Sequence, residues 1–299
     1  MNMKKHAMMY ENVGKNIVHC FLCSHHCRLM NGKRGICGVR VNVDGALYTS
    51  VYGEVITANA EPIEKRTLNH FMPGSYSYLI ATLGCNFRCG FCQNWQASQI
   101  SKKKLADKLG YAIEPEQIVE NAISSGCKSI AYSYTEPTIF FEYAYDIARL
   151  AKDAGLNNIF VTNGFMTKET VEAIEPYLDA ANVDLKSFND NFYNVHCGAS
   201  VRPVLETIKK MKAMNIWVEV TTLIIPGQND SNEELGNIAR FLAGINNDIP
   251  WNIAGFKKEY KFINYKETPL TTMLRAVDIG RSAGLKNVHL ADVPLVMAS

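Results

Sequence analysis

Cys85-Asn86-Phe87-Arg88-Cys89-Gly90-Phe91-Cys92 decides the reading of this chain. Three thiols lie within eight residues, spaced C-x3-C-x2-C, just after the apolar run Tyr76–Leu83. Cubane clusters of the ferredoxin type usually take four cysteines. Three thiols on one tight loop hold three irons of a [4Fe–4S] cube and leave the fourth iron open to a small molecule. The triplet therefore points to a cluster that does chemistry rather than one that only relays electrons. Three unrelated thiols, or a zinc knuckle lacking its fourth ligand, are the alternatives. Gly84 and Gly90 let the backbone wrap closely around a bulky inorganic core.

Outward from this loop, strand and helix patterns alternate. The runs Tyr76–Leu83, Ser129–Tyr134, Asn158–Thr162, Ala181–Leu185, Trp217–Ile225, Trp251–Phe256 and Asn287–Ala291 read as strands. Between them, Pro115–Ser125, Thr138–Ala154, Lys168–Ile174, Arg202–Asn215, Ser231–Ala243 and Thr271–Ala283 read as helices. Glu114-Pro115 sets a proline at a helix start, and Gly155 and Gly284 follow helix ends. Recurring β-then-α order gives a parallel sheet with crossover helices. The predicted fold class is α/β, a partial (β/α) barrel over residues 71–299. Residues 1–70 read as a small Cys-rich β unit, closed off by the turn signal Pro73-Gly74.

In such barrels, chemistry sits at the C-terminal ends of strands. Cys85 follows the first strand, Glu136 the second and Asn163 the third. Asp184 and Lys186 share one face at the fourth, and Asn252 lies on the sixth.

Hydrophobic residues make up 47% of the 299 residues, enough for a sizeable core and too many for a disordered chain. The net charge of +2 gives no electrostatic case for nucleic acid. Lys102-Lys103-Lys104 reads as a solvated face. No apolar run reaches the length of a membrane span, and Met1–Lys15 has no apolar signal core. A cytoplasmic protein with reduced thiols is the expectation.

Cys20, Cys23, Cys27 and Cys37 form a second set, spaced C-x2-C-x3-C-x9-C. Four close thiols suit tetrahedral zinc or iron, or an auxiliary [4Fe–4S] cluster. His25 and His26 are substitutes for one thiol. Cys127 and Cys197 have no thiol neighbours in sequence. Cys127 reads as apolar filler, and Cys197 as a substrate or radical contact in the loop after the fourth strand.

The C-x3-C-x2-C triplet resembles the signature of the radical S-adenosylmethionine (SAM) superfamily. Cys20-Phe-Leu-Cys23-Ser-His-His-Cys27, Gly35-Ile-Cys37-Gly-Val-Arg40, Pro62-Ile-Glu-Lys65, His70-Phe-Met-Pro-Gly74 and Gly84 to Trp95 are similar to the AmmeMemoRadiSam-system radical SAM enzymes. That group is related to pyruvate formate-lyase activating enzyme. Ala291-Asp292-Val293-Pro294 departs from the group's usual Gly-Asn-Val-Pro, and members run further beyond it. A shortened or truncated chain is the expectation there.

The resemblance implies a [4Fe–4S] cluster on Cys85, Cys89 and Cys92, with SAM on the open iron. It implies that Phe91 packs against the SAM adenine and that Thr135 and Glu136 stand where relatives hold the SAM amino group. Thr162-Asn163-Gly164 and Asp184-Leu185-Lys186 match the activating enzymes, which implies SAM contacts or catalytic roles for Asn163, Asp184 and Lys186. Val161 replaces an aspartate that helps bind a cation in those relatives. Ile224 and Ile225 resemble the apolar wall behind the adenine. Asn252 replaces a ribose-contacting histidine and has no acid–base capacity at neutral pH.

The implied activity is reductive cleavage of SAM to a 5′-deoxyadenosyl radical that abstracts hydrogen from a substrate. Glycyl-radical activation of a protein is the first expectation. Modification of a small molecule or another protein, and a nonenzymatic cluster-carrying module, are the competing readings. Flavodoxin or ferredoxin is the implied electron donor.

Overall fold

The structure is a computed structural model and describes residues 5–99 and 110–291. The Lys102–Lys104 cluster and Asp292–Pro294 lie outside the described residues.

An eight-stranded sheet organises the chain. Its order is Val288–Leu290, Trp251–Gly255, Trp217–Ile224, Ala180–Asp184, Asn157–Thr162, Ser129–Tyr132, Tyr76–Ala81 and Thr57–Pro62. Every pairing is parallel except the last. The sheet keeps two free edges, which makes the barrel partial. Each run read as a strand from Tyr76 onward forms one, because β-rich apolar runs alternate with helices that cover one sheet face. The helices fall within two residues of their expected ends, with one exception. Between Glu136 and the helix Phe141–Asp153 the chain makes a separate 3-10 turn, Pro137–Phe140, and Glu136 caps it by accepting from Thr138 N.

Thr57–Pro62 is a strand of the large sheet that pattern reading did not single out among the N-terminal residues. It pairs antiparallel with Tyr76–Ala81. All six of its residues are half-buried, so it carries no inside–outside alternation to read.

The helix Phe141–Asp153 shows how the sheet is covered. It buries Phe141, Ala144, Ile147, Ala148 and Ala151, one stripe at helical spacing. Burying an Ile or Phe in such a stripe is worth about 1.5–3 kcal/mol. The N-terminal residues build two three-stranded sheets, one of them Tyr10–Asn12, Val18–Cys20 and Arg28–Leu29. Leu22, Val39 and Leu47 join the same apolar core as Ile139 and Phe140, so the β unit sits on the barrel without a solvent layer between.

The segment Thr67–Phe71 turns back under the sheet and plugs the N-terminal ends of its strands. Leu68 and Phe71 pack with Ala131, Ile159, Ala180 and Trp217. Thr67 O accepts from Asn182 Nδ2 (2.8 Å) and Asn252 Nδ2 (2.9 Å). The opposite, C-terminal ends of the strands carry the thiol loop.

Candidate functional site

The strand Tyr76–Ala81 delivers the thiol loop. At Gly84 the backbone takes a φ of +101°, and a Cβ there would lie 2.6 Å from Val39 Cγ1 and 3.0 Å from Cys37 O. Only glycine fits this left-handed, crowded position. Beyond it, Arg88 N donates to Cys197 O (2.7 Å) and Gly90 N to His196 O (3.0 Å). Phe87 N donates to Cys85 Sγ (3.3 Å), and Cys92 Sγ lies 3.2 Å from Ser98 Oγ. Backbone contacts to His196 and Cys197 thus fix the loop's path.

Cys85 and Cys89 are buried and Cys92 is half-buried. Burial pushes the Cys85 and Cys92 thiols up, and a hydrogen bond with Cys197, then burial, pushes Cys89 up. Soft, buried, mutually close thiols suit an iron–sulfur core, whose positive irons stabilise the thiolates. Asn86 Nδ2, next to Cys85, is a buried donor without a protein partner, as is Thr82 Oγ1 below the loop. Among the described residues, no three Cys, His, Asp or Glu side chains already converge on one point. Cysteine needs only a change of χ1 to do so. On donor chemistry, the triplet fits the implied cluster.

The other expected residues divide into three groups. Lys186 faces the thiols directly. Its Nζ donates to Asp184 Oδ2 (2.9 Å) and lies 5.9 Å from the centre of the Phe91 ring. Burial works against the ammonium, but Asp184, Cys89 and Cys197 outweigh it and hold Lys186 well above the ordinary lysine value. Asn163 also reaches the loop. Its Nδ2 donates to Asn86 Oδ1 (2.7 Å) and lies 3.8 Å from Cys85 Sγ. Phe91 is buried under the loop against Phe192 and Phe262.

Glu136 and Thr135 form the second group, close to the thiols but already hydrogen-bonded. Glu136 Oε1 accepts from Thr138 N, Thr138 Oγ1 and Thr162 Oγ1, and Oε2 accepts from Asn163 N (2.8 Å). Burial raises the Glu136 carboxyl despite these donors. With four donors in place, the carboxylate acts first as a latch between two strand ends. Thr135 Oγ1 donates to Thr82 O (2.8 Å). Just before it, Tyr134 holds a φ of +62°, an uncommon value for a bulky residue. Backbone strain of this kind clusters at functional sites. Asn94 Nδ2 steadies it by donating to Tyr134 O (2.9 Å).

Ile224 and Asn252 form the third group, and the structure does not bring them to the thiols. By strand alternation Ile224 lies on the face of Val218, Val220 and Thr222, opposite Glu219 and Thr221. It is fully buried in the core, and packing accounts for it. Asn252 lies inside the barrel near the N-terminal plug. Its Oδ1 accepts from Asn69 Nδ2 (2.7 Å), and its Nδ2 donates to Thr67 O and Glu219 Oε2. Those bonds spend the side chain away from the mouth, because a residue early in a parallel strand faces the barrel's lower end.

Cys197 has no thiol neighbours in sequence and was expected as a substrate or radical contact in the loop after the fourth strand. The structure sets it, fully buried, close enough to Cys89 to influence that thiol. It ends the irregular helix Tyr193–Cys197, and Tyr193 Oη accepts from Lys186 N (3.0 Å). Asn86 and Arg88 also escaped notice. Both lie between the thiols, so their adjacency was the available signal. Cys20, Cys23, Cys27 and Cys37 line a separate small cavity with Arg40.

The family model for the Radical SAM superfamily matches residues 79–242. An uncharacterized protein, MJ0808, of Methanocaldococcus jannaschii is 40% identical over 97% of this chain and 86% of its own length. A putative glycyl-radical enzyme activating enzyme, MJ1632, of the same organism is 27% identical over 67% of this chain and 75% of that protein. Pyruvate formate-lyase 1-activating enzyme of Escherichia coli K12 is 24% identical over 68% of this chain and 87% of that enzyme. Among solved structures, Streptococcus suis SuiB bound to precursor peptide SuiA superposes with a TM-score of 0.56 and 16% identity. That match covers 76% of this chain and 51% of SuiB, and speaks for the fold.

Proposed function

The chain belongs to the radical SAM superfamily, and on that premise we propose that it cleaves SAM reductively and abstracts hydrogen from a protein or peptide substrate. The observation that supports this reading is that the loop of Cys85, Cys89 and Cys92 lies beside Lys186 and Asn163 at the C-terminal ends of the strands. When bound, the cluster and SAM supply a 5′-deoxyadenosyl radical. The protein supplies binding, orientation and exclusion of water.

Each side chain has a definable part in that work. Cys85, Cys89 and Cys92 hold the cluster. Lys186 presents a permanent positive charge to the SAM carboxylate, and Asp184 aims it. Asn163 fixes the first thiol by way of Asn86. Glu136 and Thr135 lock the neighbouring strand ends, beside which the SAM amino group would be held. The buried ring cluster of Phe91, Phe192 and Phe262 backs the loop and keeps water from the radical. No general base is required for initiation.

A protein substrate is supported by the relatives named as activating enzymes. Glycyl-radical activation is the specific form those names suggest. An electron donor of the flavodoxin or ferredoxin kind completes the scheme. No described helix is long and apolar enough to cross a membrane.

The test is anaerobic reconstitution with iron and sulfide, then dithionite and SAM, with quantification of 5′-deoxyadenosine. Wild type is expected to make it, and Cys85→Ala/Cys89→Ala/Cys92→Ala is not. A verified reduced cluster that yields no 5′-deoxyadenosine contradicts the proposal and favours a cluster-carrying role.

A further inference from the structure

The four N-terminal thiols remain outside the scheme above. They surround a cavity of about 10 Å³, together with Leu22, Leu29, Gly35, Arg40 and Ile139. That is room for about one water-sized guest. A tetrahedral ion at about 2.3 Å from four sulfurs needs little more than this space, with the thiols turned inward, since among the described residues no three already converge. A cube of four irons and four sulfides would need the loops to part much further. Gly35 sits between two of the thiols, since a Cβ there would lie 3.6 Å from Cys37 Sγ and 3.8 Å from Cys27 Sγ. Arg40, almost fully buried, donates through Nη1 to Cys20 Sγ (3.4 Å). Its other terminal nitrogen pairs with Glu142 on the barrel helix Phe141–Asp153. An N–H donor to a ligand sulfur is the usual outer partner of a thiolate bound to metal.

The loops that carry these thiols also grip the cluster loop. Arg88, between Cys85 and Cys89, donates through Nη2 to Ile36 O, the residue before Cys37. Its Nη1 donates to Cys85 O (3.0 Å). His25 Nε2 donates to Asn86 O (2.7 Å). Ser24 N donates to Phe165 O (3.2 Å) and Ser24 Oγ to Met166 O (3.0 Å), just after Asn163-Gly164. Cys37 O abuts Gly84 at the root of the loop. Apart from the bond of Arg88 to Cys85 O within the cluster loop, each of these contacts comes from Cys37 itself, its neighbour Ile36, or a residue within two positions of Cys23.

We propose that Cys20, Cys23, Cys27 and Cys37 hold a single tetrahedral thiophilic metal ion, zinc or iron, and that this ion staples the cluster loop in place. The ion fixes the short loops Leu22–Cys27 and Gly35–Cys37, which have little regular structure of their own. Those loops then position Asn86, Arg88 and the turn after Asn163. The residues named here are positioning residues and touch no reacting atom. The staple rests on the cluster-loop reading proposed above, whereas the metal site does not.

The metal is measured in the full chain bearing Cys85→Ser/Cys89→Ser/Cys92→Ser, purified anaerobically without added iron or sulfide. One equivalent of zinc or iron per chain with no labile sulfide is expected. Cobalt exchange should give the visible bands of a tetrahedral tetrathiolate. No bound metal overturns the site, and about four irons with matching sulfide overturns its single-ion character. Hydrogen exchange of the same protein before and after chelation tests the staple. Faster exchange is expected at 84–92 and 163–167 as well as 22–37. Acceleration confined to 22–37 would leave the ion bound but defeat the staple. Neither readout depends on SAM cleavage, so each is separate from the proposed activity.

Discussion

The two ends of the barrel are built from the same kinds of residue and do opposite things. At the C-terminal end, Asn163, Lys186 and the thiols lie together, and Asn86 Nδ2 and Thr82 Oγ1 are buried without protein partners, as Asn182 Oδ1 is lower in the barrel. At the N-terminal end, Glu219 accepts from Asn69 N, His70 N, Phe71 N, Trp217 Nε1 and Asn252 Nδ2. A carboxylate so fully engaged has little capacity left for a ligand. What separates the two ends is the thiol loop with Lys186 beside it at one and a carboxylate spent on the backbone at the other. Glu136 lies between the two cases, near the mouth yet bonded to its own backbone.

The sharpest break between the two ends comes from the thiols. Cys85→Ala should abolish 5′-deoxyadenosine formation while the protein stays folded, as read by near-ultraviolet circular dichroism. Glu219→Ala should do the reverse. It strands three backbone N–H groups, and each unsatisfied buried donor costs about 1–3 kcal/mol. A loss of about 3 kcal/mol or more in urea unfolding is expected, with cleavage per folded molecule retained.

A smaller effect separates binding from folding at the mouth. Lys186→Met removes one charge-assisted contact, worth about 1.5–3 kcal/mol. The KM for SAM should rise about 10-fold to 100-fold. An unchanged KM would remove Lys186 from the SAM site.

The mildest expected effect is a pH dependence of the plug. His70 Nε2 and His289 Nε2 lie 2.6 Å apart, with Glu219 and Arg281 nearby. Burial, then His70, lowers His289, outweighing Glu219. The native state thus binds protons there less readily than the unfolded chain. Stability from His289 is present above the ordinary histidine value and falls as pH drops from about 6.5 toward its depressed native value. His289→Gln should flatten the fall in melting temperature across that window. Equal slopes in the two proteins would show that His289 does not couple protonation to folding.

Much of this was legible from sequence. The strand runs from Tyr76 onward carry their own period and punctuation, and the triplet is local, so neither needed tertiary information. Three kinds of residue were not legible. Thr57–Pro62 lacks alternation because it is half-buried throughout. Asn252 lies on the expected strand, but the strand's motif gives no hint that the segment Thr67–Phe71 returns beneath it. Cys197 reaches Cys89 across more than a hundred residues, through an irregular helix with no periodic signal.

Asn163 and Asn252 bring the comparison to its simplest form, two buried asparagines at opposite ends of one barrel. The decisive measurement is 5′-deoxyadenosine formed per folded, cluster-loaded molecule in Asn163→Ala and Asn252→Ala, side by side. The structure predicts a marked fall for Asn163→Ala and wild-type cleavage for Asn252→Ala. Normal cleavage in the first with loss in the second would place the SAM site at the wrong end and contradict the account.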